Sequence, residues 1–239
     1  MRLWGMQDSL TQISPPRLVI FDCDGTLVDS QHHIVGAMHA AFGAHGLALP
    51  AAEAVRRTVG LPLAAAIQHL LPPDALLAPV LDAYRTAAIS QRQDPDHHEP
   101  LYPDLLETLD VLEAAGCLLG IATGKARRGL DFTLAAHGLT GRFVTLQTAD
   151  SVPAGKPAPD MVLQAMAEAG AAVPSTIMVG DTTYDMEMAR HAGVAAIGVT
   201  WGYHEERMLR EAGASRIISG FRELPEVVAE LIGGTECVR

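Results

Sequence analysis

Four apolar residues, Leu18-Val19-Ile20-Phe21, run without interruption into Asp22, and the chain continues Cys23-Asp24-Gly25-Thr26. A run this short, rich in β-branched and aromatic side chains and without polar alternation, predicts a central strand buried on both faces. Side chains alternate along a strand, so Asp22 and Asp24 point to the same side if the extended geometry persists, while Cys23 turns away toward the core. Gly25 then lets the backbone turn sharply without a Cβ penalty. The carboxyl end of a parallel strand is where open α/β sheets keep their chemistry. An ordinary Asp-Gly turn would need only one of the two aspartates.

Helical texture follows. Ile34, Val35, Met38, Ala41 and Phe42 recur at helical spacing, with Gly43 and Gly46 as a stop, and Leu76, Leu77, Val80, Leu81, Tyr84 and Ala87 repeat the pattern after Pro72-Pro73. No strand is predicted between His33 and Pro100, so this block reads as all-helical, and the polar, proline-flanked Gln93 to Pro100 as the linker returning from it. Beyond Tyr102 helices and strands alternate. Helices are predicted over 105–115, 126–137, 160–169, 185–192 and 223–232, and strands over 117–122, 143–147, 176–179, 194–199 and 216–218. Strands separated by helices imply a doubly wound parallel sheet with right-handed crossovers.

The 239 residues are 49% hydrophobic and 19% charged, a globular balance in a chain long enough to bury a core. A net charge of −11 makes nucleic acid an unsuitable partner, because phosphate backbones are held by basic patches. No stretch approaches membrane-spanning length, and residues 1–16 lack the apolar centre of a signal peptide. Cys23, Cys117 and Cys237 are odd in number and widely spaced, which predicts a reducing cytoplasm and neither a disulfide framework nor a zinc knuckle. His32-His33 and His97-His98 lack the i, i+4 spacing of a helical metal site and read as surface or hinge residues. His32 stands out among them, because it follows the Asp22–Asp24 loop where the helical block begins. Met186 and Met188 read as helix packing.

Four sets of polar residues fall just past predicted strands or on loops beside them: Asp22/Asp24, Thr123 with Lys125, Lys156, and Asp181/Asp185. Each has an ordinary reading. Thr123 could cap the following helix, Lys156 could be an exposed loop lysine, and Asp181 and Asp185 could cap a helix and meet its dipole. Their joint occurrence in one sheet favours a site.

DCDGT at Asp22 to Thr26, IATG at Ile121 to Gly124, GKPAPD at Gly155 to Asp160 and GDTTYD at Gly180 to Asp185 together resemble the haloacid dehalogenase superfamily. The resemblance is to its phosphatases with a helical cap inserted after the first strand, and among them to phosphoglycolate phosphatases. It covers roughly residues 17–228 and includes Arg56 to Leu61, which is similar to the cap region of those enzymes. It implies a core sheet of order 3-2-1-4-5, formed by residues 17–31 and 101–232, a helical cap at 32–100 and an N-terminal extension at 1–16.

The same resemblance implies roles. Asp22 would be the nucleophile that forms an aspartyl-phosphate, and Asp24 the acid and then the base. Mg²⁺ would be held by the Asp22 carboxylate, the Asp24 carbonyl and Asp181, with Asp185 a ligand directly or through water. Charge supports a metal. Four carboxylates face one lysine, and two like charges about 4 Å apart cost roughly 4 kcal/mol at an effective dielectric of 20. A hard divalent ion would resolve this repulsion. Thr123 and the N–H groups around Gly124 would bind phosphate oxygens at a helix N-terminus, Lys156 would neutralise Asp22 and the phosphoryl group, and Lys125 is a further candidate cation. Arg56 and Arg57 are candidates to clamp a substrate carboxylate. The implied activity is hydrolysis of a small phosphorylated metabolite. A phosphosugar mutase of the β-phosphoglucomutase kind and a non-catalytic binding protein are the alternatives.

Overall fold

The predicted apolar runs become six strands of one sheet in the computed structural model, which describes residues 15–233. They are β1 (Arg17–Phe21), β2 (Cys117–Ala122), β3 (Thr145–Gln147), β4 (Thr176–Gly180), β5 (Ala195–Val199) and β6 (Arg216–Ile218). Their order is β3-β2-β1-β4-β5-β6, and every neighbouring pair is parallel. The expected five-strand order holds, with β6 added at the edge. Most of the N-terminal extension, and Cys237, lie outside the described residues.

Alternation along β1 divides the core. Val19 and Phe21 pack on one face with helices α5 (Leu105–Ala114), α6 (Arg127–Ala136) and α10 (Leu224–Gly233), through Leu105, Leu109, Leu112, Leu130, Leu134, Leu224 and Val228. Leu18 and Ile20 pack on the other face against α7 (Asp160–Ala169), α8 (Thr183–Ala192) and α9 (Glu206–Ala212), with Met186 and Met188 buried there. Both faces of the strand are therefore dry, which is why it reads as a continuous apolar run. Cys23 joins the first cluster as a buried thiol. Helix α9 escapes the sequence pattern because it buries only Leu209. The strand expected at 143–147 starts at Thr145, and Phe143 serves as core packing just before it.

Between β1 and α5 the chain is helical, as predicted: α1 (Gln31–Ala44), α2 (Ala52–Arg56), α3 (Leu63–Leu70) and α4 (Leu77–Arg92). These helices bury a small cluster of their own, Met38, Ala41, Phe42, Val55, Ile67 and Val80. The outgoing and returning connections run side by side. The Asp29 N–H donates to Pro100 O at 2.9 Å and the Tyr102 N–H to Leu27 O at 3.0 Å. Among the described residues no helix is long and apolar enough to cross a membrane.

Candidate active site

The strand geometry carries β1 one residue further, since the Asp22 N–H still donates to Val179 O at 2.9 Å. The chain then folds back at Gly25, whose φ of +85° disfavours any side chain. A Cβ there would also collide with the Asp181 carboxylate and the Tyr203 ring. Glycine at this position is thus required twice, by the turn and by the close approach of the neighbouring strand end.

Asp22, Asp181 and Asp185 converge at the carboxyl ends of β1 and β4, each offering an oxygen within 4.8 Å of the others. All three are buried, with Asp181 and Asp185 fully enclosed. Lys156 is buried among them, its Nζ 2.8 Å from Asp22 Oδ1 and 2.6 Å from Asp185 Oδ1. It is no exposed loop lysine. Asp181 is fixed by Thr26 Oγ1, which donates to Oδ1 at 2.9 Å, and by the Tyr203 N–H, which donates to Oδ2 at 2.8 Å. Thr182, not Asp181, caps α8, and Asp185 answers it in the first turn. The Thr182 N–H and hydroxyl both donate to Asp185 Oδ2, at 3.0 and 2.7 Å. The capping residue thereby orients a carboxylate of the site.

Electrostatics follow from this crowding. Burial pushes the Asp22 carboxyl up to about 6, with Lys156 pulling it back down and Asp185 adding to the rise. Burial, then Asp22 and Asp185, raises Asp181 well above the usual carboxylate range. Burial works against the charge on Lys156, but Asp185 and Asp22 outweigh it and its pKa rises. Three buried carboxylates with one ammonium, paired to Asp22 and Asp185 alone, are short of positive charge. Their oxygen-only donor set, closely spaced and dry, fits a hard divalent cation.

Asp24 points elsewhere. Its Oδ1 accepts from Ser30 Oγ at 2.6 Å and from Lys125 Nζ at 2.7 Å. Its carboxylate lies outside the triplet of Asp22, Asp181 and Asp185 that could hold a metal ion, which leaves its carbonyl as the candidate ligand. Lys125 therefore faces in, toward Asp24 and Glu99 (3.3 Å to Oε2), instead of standing free for a phosphate. The charge count changes with it: two lysines, not one, serve five carboxylates once Glu99 is included.

Thr123 is buried at the end of β2, its N–H donating to Gln147 O at 2.9 Å. It does not cap the next helix. Ala126 occupies that position, and the Arg127 N–H that opens α6 is already taken by the Asp150 carboxylate at 3.1 Å. Thr123 and Gly124 thus stand on the loop between β2 and α6, ahead of the first turn of that helix. Gly124 lies beneath the helical block, where an added Cβ would stand 3.0 Å from Gly60 O and 3.1 Å from Leu61 O.

Arg56 and Arg57 both pair with Glu53, at 3.0 and 3.1 Å, on an exposed turn of α2. The clamp expected of them gains no support from this arrangement. His33, rather than His32, turns inward, its ring 4.0 Å from that of His97 and its Nε2 3.0 Å from His98 O. Sequence reasoning also missed Ser30, Glu99 and Tyr203. The Tyr203 hydroxyl lies 3.2 Å from Ser30 Oγ, and Tyr203 follows β5, a strand-end position that could have been inspected. Tyr84 of α4 falls within the apolar repeat of that helix and packs against the cluster of the helical block. Its phenol is pushed up to about 12 by burial and then by the Asp24 carboxylate.

A family model described as haloacid dehalogenase-like hydrolase matches residues 19–199. The chain belongs to that family. A probable phosphatase IndB of Dickeya dadantii is 40% identical over 214 residues, spanning 87% of this chain and 91% of the relative. A phosphoglycolate phosphatase of Agrobacterium fabrum is 32% identical over 219 residues, spanning 89% and 92%. Among solved structures, a hydrolase from Pseudomonas syringae superposes with a TM-score of 0.79 at 27% identity, covering 90% of this haloacid dehalogenase-like chain and 98% of its own.

Proposed function

We propose that this protein is an Mg²⁺-dependent phosphomonoesterase that acts on a small phosphorylated metabolite through an aspartyl-phosphate, with phosphoglycolate the first substrate to test. The observation that carries the reading is the buried set of Asp22, Lys156, Asp181 and Asp185, with Asp24 beside it. Burying several charges this way is costly unless they are paired or neutralised, as a bound cation would do. Substrate choice is supported by the 32% identity to a phosphoglycolate phosphatase over most of both chains.

In this reading Asp22 attacks phosphorus, and Lys156 holds its carboxylate in place while offsetting negative charge on the transferring group. Asp24 gives a proton to the leaving oxygen and later takes one from water. Thr123 and the Gly124 N–H hold phosphate oxygens. Asp22, Asp181 and the Asp24 carbonyl would hold Mg²⁺, with Asp185 beside them, and the bound ion would draw carboxylates and phosphate together. Residues 32–100 serve as a cap over a catalytic unit of 17–31 and 101–232. Their separate apolar cluster, their paired connections and the fit of Gly60-Leu61 against Gly124 support that division.

The test is a phosphatase screen over a few dozen metabolites, phosphoglycolate included, in chelator-treated buffer with and without Mg²⁺. Hydrolysis should require Mg²⁺, and Ca²⁺ should substitute poorly because its looser coordination disturbs in-line geometry. Failure to hydrolyse any phosphomonoester with Mg²⁺ present would overturn the proposal.

A further inference from the structure

Lys125 was a candidate phosphate ligand by sequence, yet its side chain, only 11% exposed, is committed to two carboxylates. Its Nζ lies 2.7 Å from Asp24 Oδ1 and 3.3 Å from Glu99 Oε2. The second donor to Asp24, Ser30 Oγ, also reaches Oδ1, at 2.6 Å. Among the described residues none donates to Asp24 Oδ2. One oxygen of this carboxylate is thus anchored twice and the other is left open.

A lysine on a flexible four-carbon stem orients a partner only if the lysine is itself held. Glu99 does this from the opposite side. Its Oε2 accepts from Thr133 Oγ1 at 2.9 Å, and its backbone carbonyl is 2.8 Å from His137 Nε2. Thr133 and His137 belong to α6 and its end, whereas Glu99 lies on the connection returning from the helical block. A continuous polar relay therefore runs from α6 through that connection to Asp24.

We propose that Lys125 is a positioning residue that fixes the Asp24 carboxylate through Oδ1 and presents Oδ2 to the leaving oxygen, and that Glu99 keeps Lys125 in that place. The proposal rests on the phosphatase reading. In the step concerned, an Asp22 oxygen bonds to phosphorus. The bond from phosphorus to the leaving oxygen breaks, its electron pair stays on that oxygen, and the proton on Asp24 Oδ2 moves to it. An alkoxide is too basic to leave without this proton, but a nitrophenolate leaves without it. The parameter kcat/KM covers the reaction only through departure of the leaving group, so it isolates this proton transfer from later hydrolysis of the intermediate.

The experiment compares kcat/KM for an alkyl phosphate found in the screen with that for p-nitrophenyl phosphate, both with Mg²⁺. Lys125→Met should lower the alkyl value about 30-fold or more and the nitrophenyl value less than about 3-fold, in keeping with the usual weight of general-acid catalysis. Lys125→Gln, which retains a donor near Oδ1, should fall between wild type and Lys125→Met on the alkyl substrate. Glu99→Gln should show the same selective loss at about 3- to 10-fold. If melting shows that Lys125→Met does not fold, the other two variants carry the comparison. Equal loss on both substrates, or no loss on either, overturns the positioning role while leaving an active phosphatase. A wild type inert toward both substrates overturns the phosphatase reading and this one together.

Discussion

The carboxyl edge of the core sheet and the helical segment 31–92 treat charge in opposite ways. At the sheet edge Asp22, Lys156, Asp181 and Asp185 are buried, and each is held by groups from distant parts of the chain. In the helical segment Arg57 and Arg85 are exposed and Arg56 half-buried, and they pair with Glu53 or Asp82 three or four residues away. Exposed pairs of this kind contribute about 0–1 kcal/mol, whereas removing one partner of a buried pair costs about 3–5 kcal/mol. Charge at the sheet edge is therefore tied to its buried partners, and charge on the helices is shared with solvent.

The sharpest way to break this comparison is Asp22→Asn. It should lower kcat by about 10⁴-fold or more, as loss of a nucleophile does, without lowering the melting temperature, because one of three crowded carboxylates is neutralised. A variant retaining a tenth of wild-type kcat would remove Asp22 from the nucleophile role.

Lys156→Met comes next. It should destabilise the fold by about 3–5 kcal/mol in urea titrations at neutral pH without Mg²⁺, since Asp22 and Asp185 lose their buried counter-ion. A loss under about 1 kcal/mol would mean that water reaches those carboxylates and that the two regions differ less than their burial implies.

Arg56→Ala and Arg57→Ala test the other side. Each should change kcat/KM for a carboxylate-bearing phosphate ester by less than about 3-fold. A drop of ten-fold or more on that substrate, with p-nitrophenyl phosphate spared, would restore the clamp and show that Glu53 releases the arginines when substrate binds.

The smallest effect lies at the seam between the regions. Burial, then His33 of α1, holds the His97 pKa below the usual histidine value; Glu99 opposes this, while Lys125 and Arg92 of α4 reinforce it. The unfolded chain, with histidine near 6.5, then takes up the proton first as pH falls. His97 should contribute no pH dependence above that value and a loss of stability as pH drops through it, complete only below the folded pKa. His97→Phe, which preserves ring packing against His33 and Phe132, should lose less stability than wild type between pH 7 and pH 5. Identical pH slopes would show that His97 titrates freely.

What the sequence determined by itself is whatever local pattern can encode. The apolar runs of β1, β2 and β4, the glycine stops and the four motif segments are short-range statements, and they place the strands, the parallel sheet and the clustered carboxylates at its edge. The pairing of Glu53 with Arg56 and Arg57 falls at i, i+3 and i, i+4 spacing, a local signal that the sequence reading passed over. Short helices such as α2 and α9 were not legible, because each buries a single apolar residue and leaves no period to read. Only the tertiary structure decided that Lys125 meets Asp24 and Glu99, that Tyr203 reaches both Asp181 and Ser30, and that His33 rather than His32 faces the returning connection. These contacts join residues tens to more than a hundred positions apart, so their partners are chosen by how the sheet edge and the helical block pack together. A side chain's burial, and with it the strength of every charge it meets, is set by that packing and is written in no single stretch of the chain.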